Sequence, residues 1–205
     1  MGIADAILAA LQPLGPAGMG IALFLIFVLD AALFPALPEV WLSFVFFAAP
    51  TGISQTAWAL ALLLMAVGGE AVGNALLYAV VRYVFVRRGR WPRFLERLMR
   101  RWSQFLIVKD ERIILVNRVA PVVPMVGMFI AVLGWDVRKS LAYVVLGAAV
   151  KYAALLTLFS VLFVAFDREL AQWVTLGAVL LVVAVSGMAS LVYRRRLKGV
   201  SSARR

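Results

Sequence analysis

The chain contains no cysteine and no histidine. Without cysteine there is no disulfide, thiolate metal ligand or thiol nucleophile, and the redox compartment leaves no mark on the sequence. Without histidine there is no imidazole metal site, no histidine-based triad and no proton relay through a ring nitrogen. Proton chemistry in this chain falls to carboxylates, lysine, tyrosine or water. Charge is also scarce: Asp, Glu, Lys and Arg make up 15% of the 205 residues, where a soluble domain carries about a quarter. Hydrophobic residues make up 64%, and mean hydropathy is +0.98. This balance excludes an ordinary soluble domain and predicts a polytopic membrane protein. Acids are the scarcer sign, 10 against 21 Lys+Arg, for a net charge of +11. In so apolar a chain a basic excess reads as cytoplasmic loop charge, not as a nucleic-acid surface. There is no nucleophile elbow and no glycine-rich cofactor loop, so neither an enzyme nor a cofactor or metal is expected.

The 205 residues read as a single membrane domain. Residues 1–18 hold no Lys or Arg, so the basic start of a secretory signal is missing. Residues 1–17 are expected to form an interfacial N-terminus, broken at Pro13, Gly15 and Pro16. A first repeat covers 18–83. It opens with a span at about Gly18–Phe34, whose one charge is Asp30. The stretch 35–52 follows, bracketed by Pro35/Pro38 and Pro50/Gly52. A helix of about a dozen residues there is about 18 Å long, well short of a hydrocarbon core of about 30 Å. A second span at about Ala57–Tyr83 contains Gly68, Gly69, Glu70, Gly73 and Asn74. Residues 84–112 form a basic cytoplasmic segment. Within it the apolar residues from Trp91 to Leu106 trace one helical face, with Arg93, Arg97, Arg100 and Arg101 off it. This is an amphipathic helix expected to lie on anionic lipid head groups.

The second repeat covers 113–166. Its first part, 113–135, carries Asn117, Arg118, Pro121, Pro124 and Gly127. A span of about Ser140–Phe166 follows, with Lys151 inside it. A last span runs over 170–193, and 194–205 is a basic tail.

Charge asymmetry chooses the topology. The basic segment and the basic tail both belong on the cytoplasmic side. If 113–135 crossed fully, Arg138/Lys139 and the Arg-rich tail would both lie outside. If it dips in at Pro121/Pro124 and returns, both lie inside. The same logic makes 35–52 enter and leave from the outside. The expected fold is therefore all-α: about four full transmembrane helices, two oppositely oriented re-entrant helical hairpins in an inverted repeat, and the interfacial helix. Both termini are expected in the cytoplasm, and the protein in the plasma membrane. Five or six plain spans with proline kinks are the simpler alternative.

Asp30, Glu39, Glu70, Arg118 and Lys151 are the charges within apolar segments. Each costs about 2.5–3.5 kcal/mol to insert, so each needs a partner or water. Three acids and two bases can neutralise each other in the bundle, with Glu70 and Lys151 bridging their helices. They can also line a cavity that carries a proton or ion and a charged substrate. Arg118 is the sharpest single residue, because a guanidinium stays charged and holds phosphate or carboxylate with a planar fork. Glu39 and Asp30 are the carboxylates best placed for proton coupling. Gly68, Gly69 and Gly73 read as close-packing positions. Asn74 and Asn117 either satisfy broken backbone or touch substrate. Tyr78, Tyr143 and Tyr152 read as packing or interface residues.

At these residues the chain resembles the DedA family, also called the VTT or SNARE-associated membrane-protein family. Asp30 precedes the break where that family has an acid. Pro35-Ala36-Leu37-Pro38-Glu39 is similar to its P-x-x-P-G-[ED] motif, without the glycine. Gly73-Asn74-x3-Tyr78-x3-Arg82 is similar to its G-[DN]-x3-Y-x-x-G-R pattern, with Val81 at the glycine. Arg118-Val119-Ala120-Pro121 matches the R-F-x-P start of its second re-entrant motif, where Pro124 stands in place of a second arginine. The second half also resembles the small multidrug export family, through Pro121–Gly127 and Leu133-Gly134-Trp135-x3-Lys139.

The resemblance implies a transporter with two inverted re-entrant hairpins, linked to recycling polyprenyl-phosphate carriers and to proton-dependent homeostasis. In it Arg118 engages the phosphate, with Asn117, Pro121, Pro124 and Lys151 around the substrate. Glu39, Asp30 and Glu70 couple protons or ions. Pro35, Pro38, Gly73, Asn74, Tyr78, Arg82 and Gly127 shape the re-entrant elements and their packing. The expected function is proton-coupled movement of an anionic lipid. The alternatives are export of small cationic drugs through Glu39, Glu70 and Asp30, or a non-transporting membrane scaffold. The expected partners are membrane lipids, and a homodimer suits so small a transporter.

Overall fold

The computed structural model describes residues 12–32, 37–87, 110–119, 125–166, 170, 173–181, 184–185 and 188, and every regular element among them is helical. A short 3-10 turn at Gln12–Leu14 leads into α1, Gly15–Ala32. Pro16 stands in its first turn, where the missing N–H has no intrahelical partner to lose. α2 is Pro38–Phe47 and opens on a proline at its first position. α3 is Gln55–Val80, capped by the Ser54 hydroxyl, which accepts from the Ala57 N–H at 3.3 Å. It runs on as a π-helical turn at Val81–Val86.

The second part of the chain repeats this order. α4 is Ile113–Val119 and α5 is Val126–Leu133. α6 is Val137–Ala165, capped by the Asp136 carboxylate, which accepts from the Lys139 N–H at 2.9 Å. Each short helix is preceded by a left-handed residue that is not glycine, Leu37 at φ 49° and Met125 at φ 52°. Each is followed by a glycine of positive φ, Gly52 at 90° and Gly134 at 68°, and then by the capped long helix. Aligned on the left-handed residues, Pro38 matches Val126; the two double-proline motifs are thus out of register by two residues. The stretch 173–181 is a further helical piece, here α7.

Three helices are long and apolar enough to cross a membrane: Gly15–Ala32, Gln55–Val86 and Val137–Ala165. At most 33% of each apolar window is buried in the protein. Leu25, Leu29, Leu60, Leu64, Leu76, Leu146, Val150 and Val161 stand exposed along their outer faces. A water-soluble monomer does not present apolar surface on this scale. Length, composition and outer faces are those of a membrane-embedded protein. α2 and α5, at 10 and 8 residues, are too short to cross.

The expected span at 18–34 is α1, the span at 57–83 is α3 with its π turn, and the span at 140–166 is α6. The chain at 113–135 is two helices rather than one. The amphipathic helix 91–106, the tail 194–205 and most of the last span lie outside the described residues.

The main core joins α1, α2, α3 and α6 through Leu23, Phe27, Leu42, Phe46, Leu62, Tyr152 and Phe159, with Val179 of α7 added. α1 and α3 approach closely because Gly69 and Gly73 face α1. A Cβ on Gly69 would stand 2.7 Å from the Phe24 carbonyl oxygen, and one on Gly73 2.5 Å from that of Val28. These are the small residues at four-residue spacing that let membrane helices touch backbone to backbone. A second core forms where α5 packs on the C-terminal end of α3 and the π turn, through Val81, Ile113, Met128 and Phe129.

Candidate functional site

The buried charges gather where the two halves meet. Glu39 is the second residue of α2, one position past Pro38. Its carboxylate accepts from the Lys151 ammonium of α6 in a close ion pair. The pair is not sealed: the side chains keep 15% and 29% of their exposure. The Lys151 ammonium also lies 3.5 Å from the Tyr152 hydroxyl. Tyr152 is fully buried, its ring set edge-on to Phe27 with centroids 5.0 Å apart. The Tyr152 hydroxyl donates to the Glu70 carboxylate of α3, itself only 3% exposed.

From Glu70 the polar chain continues along α3. The Asn74 amide donates to the Glu70 backbone carbonyl at 2.9 Å. Its Oδ1 accepts from the Gly127 N–H at the start of α5, at 3.0 Å. One connected series, Glu39–Lys151–Tyr152–Glu70–Asn74–Gly127, therefore runs from the first short helix to the second. Each short helix is tied to the long helix of the opposite half: α2 to α6, α5 to α3.

Two of the charges occupy the middle of their helices. Lys151 is the central residue of Val137–Ala165, and Glu70 is the sixteenth of the 32 residues of Gln55–Val86. They are about 21–24 Å from the ends of their helices at 1.5 Å per residue. Glu39 and Glu70 bring two carboxylates to the cluster, and Lys151 brings one ammonium. Partners satisfy what would otherwise be isolated charges in an apolar interior.

The expected Glu70–Lys151 bridge is replaced by two contacts. Lys151 pairs with Glu39, and Tyr152 takes the place beside Glu70. Tyr152 read from sequence as packing; it packs, and it also carries the hydroxyl at the centre of the cluster. Its alternatives were indistinguishable by periodicity, since a buried aromatic and a buried donor share the same helical face.

Asp30 is partly buried near the end of α1, and Asn117 is partly buried on α4. Pro38 is buried at the start of α2. Tyr78 packs between the two smaller cores, and Tyr143 against the one around Val144. Arg82 is exposed on the π turn. Arg118 lies on α4, but its side chain is outside the described residues, as are Pro35, Pro121 and Pro124. A tie missed from sequence is Trp58, whose indole N–H donates to the Val45 carbonyl at 3.1 Å and fastens α2 to α3.

No family model, no curated protein and no solved structure matches the chain.

Proposed function

We propose that the chain is a proton-coupled transporter of the cytoplasmic membrane, DedA-like in design, that moves an anionic lipid such as a polyprenyl phosphate. The observation that carries this reading is the series from Glu39 to Gly127, which joins two short helices through a chain of polar side chains, four of them ionisable. A structural bridge needs one acid and one base; this cluster adds a second carboxylate and a phenol between them. Ionisable residues at mid-depth in a membrane protein mark ion, proton or substrate pathways. In this reading α2 and the α4–α5 pair are re-entrant hairpins from opposite faces. Their broken backbone is tolerated because it is buried in protein or lines a wet cavity. The basic segment 82–112 faces the cytoplasm and rests on anionic lipid. Glu39 exchanges the proton, and Arg118 on α4 takes the phosphate.

The test is transbilayer movement of a polyprenyl phosphate in liposomes, with and without a pH gradient, beside Arg118→Ala. Movement that needs both the gradient and Arg118 is the expected result. No movement by a well-folded protein overturns the lipid reading. A second reading, export of a lipophilic cation, is favoured by the excess of acid over base in the cluster. It predicts cation efflux that survives Arg118→Ala and is lost in Glu39→Gln.

A further inference from the structure

Three of the hydrogen bonds that join the half α1–α3 to the half α4–α6 among the described residues share one direction. The first half supplies the acceptors: a carboxylate oxygen of Glu39, a carboxylate oxygen of Glu70 and the amide oxygen of Asn74. The second half supplies the donors: the Lys151 ammonium, the Tyr152 hydroxyl and the Gly127 N–H. Two of the three acceptors are carboxylates, whose accepting strength depends on charge. A hydrogen bond to an ionised acceptor is about twice as strong as a neutral one. A proton on either glutamate therefore weakens the tie between halves, while the Asn74–Gly127 bond is indifferent to pH.

The Tyr152–Glu70 bond holds a special position. Glu70 lies sixteen residues after the cap Ser54, and Tyr152 sixteen after the cap Asp136. They stand at the same distance from the caps of the two long helices, and they meet each other.

We propose that Tyr152 is the positioning residue that couples proton uptake to relative movement of the two halves. Its hydroxyl clamps Glu70 while that carboxylate is charged, and lets go when a proton from water neutralises it. Glu39 and Lys151 form the more accessible entrance to the same latch. The other titratable or charged groups on the elements packed around it are Asp30 on α1, Tyr78 on α3, Arg82 and Tyr83 on the π turn, Arg118 on α4, and Arg138, Lys139 and Tyr143 on α6. What the movement transports rests on the function proposed above; the latch itself is defined by these contacts.

The experiment exploits the cysteine-free sequence. Spin labels are placed at Leu64→Cys on α3 and Val150→Cys on α6, which are 72% and 65% exposed. Their separation is measured in lipid at neutral and at acid pH, with no substrate present. The wild-type background is expected to change its distance distribution on acidification. Tyr152→Phe keeps the ring against Phe27 and removes the hydroxyl. It is expected to raise the acid-form population at neutral pH by about tenfold, the effect of one lost charge-assisted bond. Glu70→Gln, a neutral isostere, is expected to do the same. A distance that ignores pH in the wild-type background overturns the latch. So does a Tyr152→Phe variant that follows the wild-type pH profile. The same labelled protein is assayed for polyprenyl phosphate movement. A pH-dependent distance without lipid movement supports the latch and removes the substrate reading alone.

Discussion

No side chain larger than hydrogen fits at Gly127. A Cβ there would stand 2.2 Å from the Asn74 carbonyl oxygen and 3.0 Å from the Tyr78 nitrogen, both backbone atoms of α3. Backbone cannot step aside as a flexible side chain can. Gly127→Ala is expected to destabilise the fold by at least the ~1–3 kcal/mol of an overpacked core, read as a lower melting temperature in detergent. Asn74→Ala strips the acceptor from the Gly127 N–H and is expected to cost about 1–2 kcal/mol. Asp136 adds a dependence on pH outside the membrane segments. The hydrogen bond from the Lys139 N–H, chiefly, holds its carboxyl below the usual carboxylate range. A depressed acid stabilises the folded state above its unfolded value, about 3.9, and loses that contribution as pH falls through the folded value. Asp136→Asn keeps a capping side chain without the charge. Its melting temperature is expected to fall less than the wild type's on acidification.

The elements are built from signals that are local, of which Pro38 and Gly52 were read as breaks. Ser54 and Asp136 are acceptors at helix starts, and Gly134 follows a helix end; these three were not read as such. Ser54→Ala is expected to destabilise α3 by about 1 kcal/mol. Trp58→Phe, which removes the donor to the Val45 carbonyl, is expected to cost about the same in thermal unfolding. The π turn at Val81–Val86 was not legible, because nothing in its residue types separates it from α-helix. Nor was the interruption of 113–135 into two helices fixed to the residue. Prolines 121 and 124 announced a break, while Met125 adopts the left-handed conformation that starts α5. The pairing of charges was the least legible feature. Glu39 and Lys151 are 112 residues apart, and no helical period relates them. Their meeting depends on how α2 and α6 pack, and Gly69 and Gly73 fix part of that by drawing α1 onto α3.

At the scale of the molecule, Glu39, Glu70, Lys151 and Tyr152 meet inside the bundle while many leucines and valines line the outer faces of the long helices. The arrangement inverts the water-soluble pattern, and three apolar helices with exposed outer faces give it a natural solvent in lipid. Membrane character was legible from composition alone, because 15% charge and 64% hydrophobic residues admit little else. The contact of Glu70 with Tyr152 was not, since the two are 82 residues apart and no helical period relates them. In the proposed mechanism the Glu39–Lys151–Tyr152–Glu70 cluster ties proton uptake to the passage of an anionic lipid. Transbilayer movement of a polyprenyl phosphate under an imposed pH gradient, wild type beside Glu39→Gln, tests this. Gradient-accelerated movement is expected in the wild type and no response to the gradient in the variant. Equal acceleration in both proteins overturns the coupling.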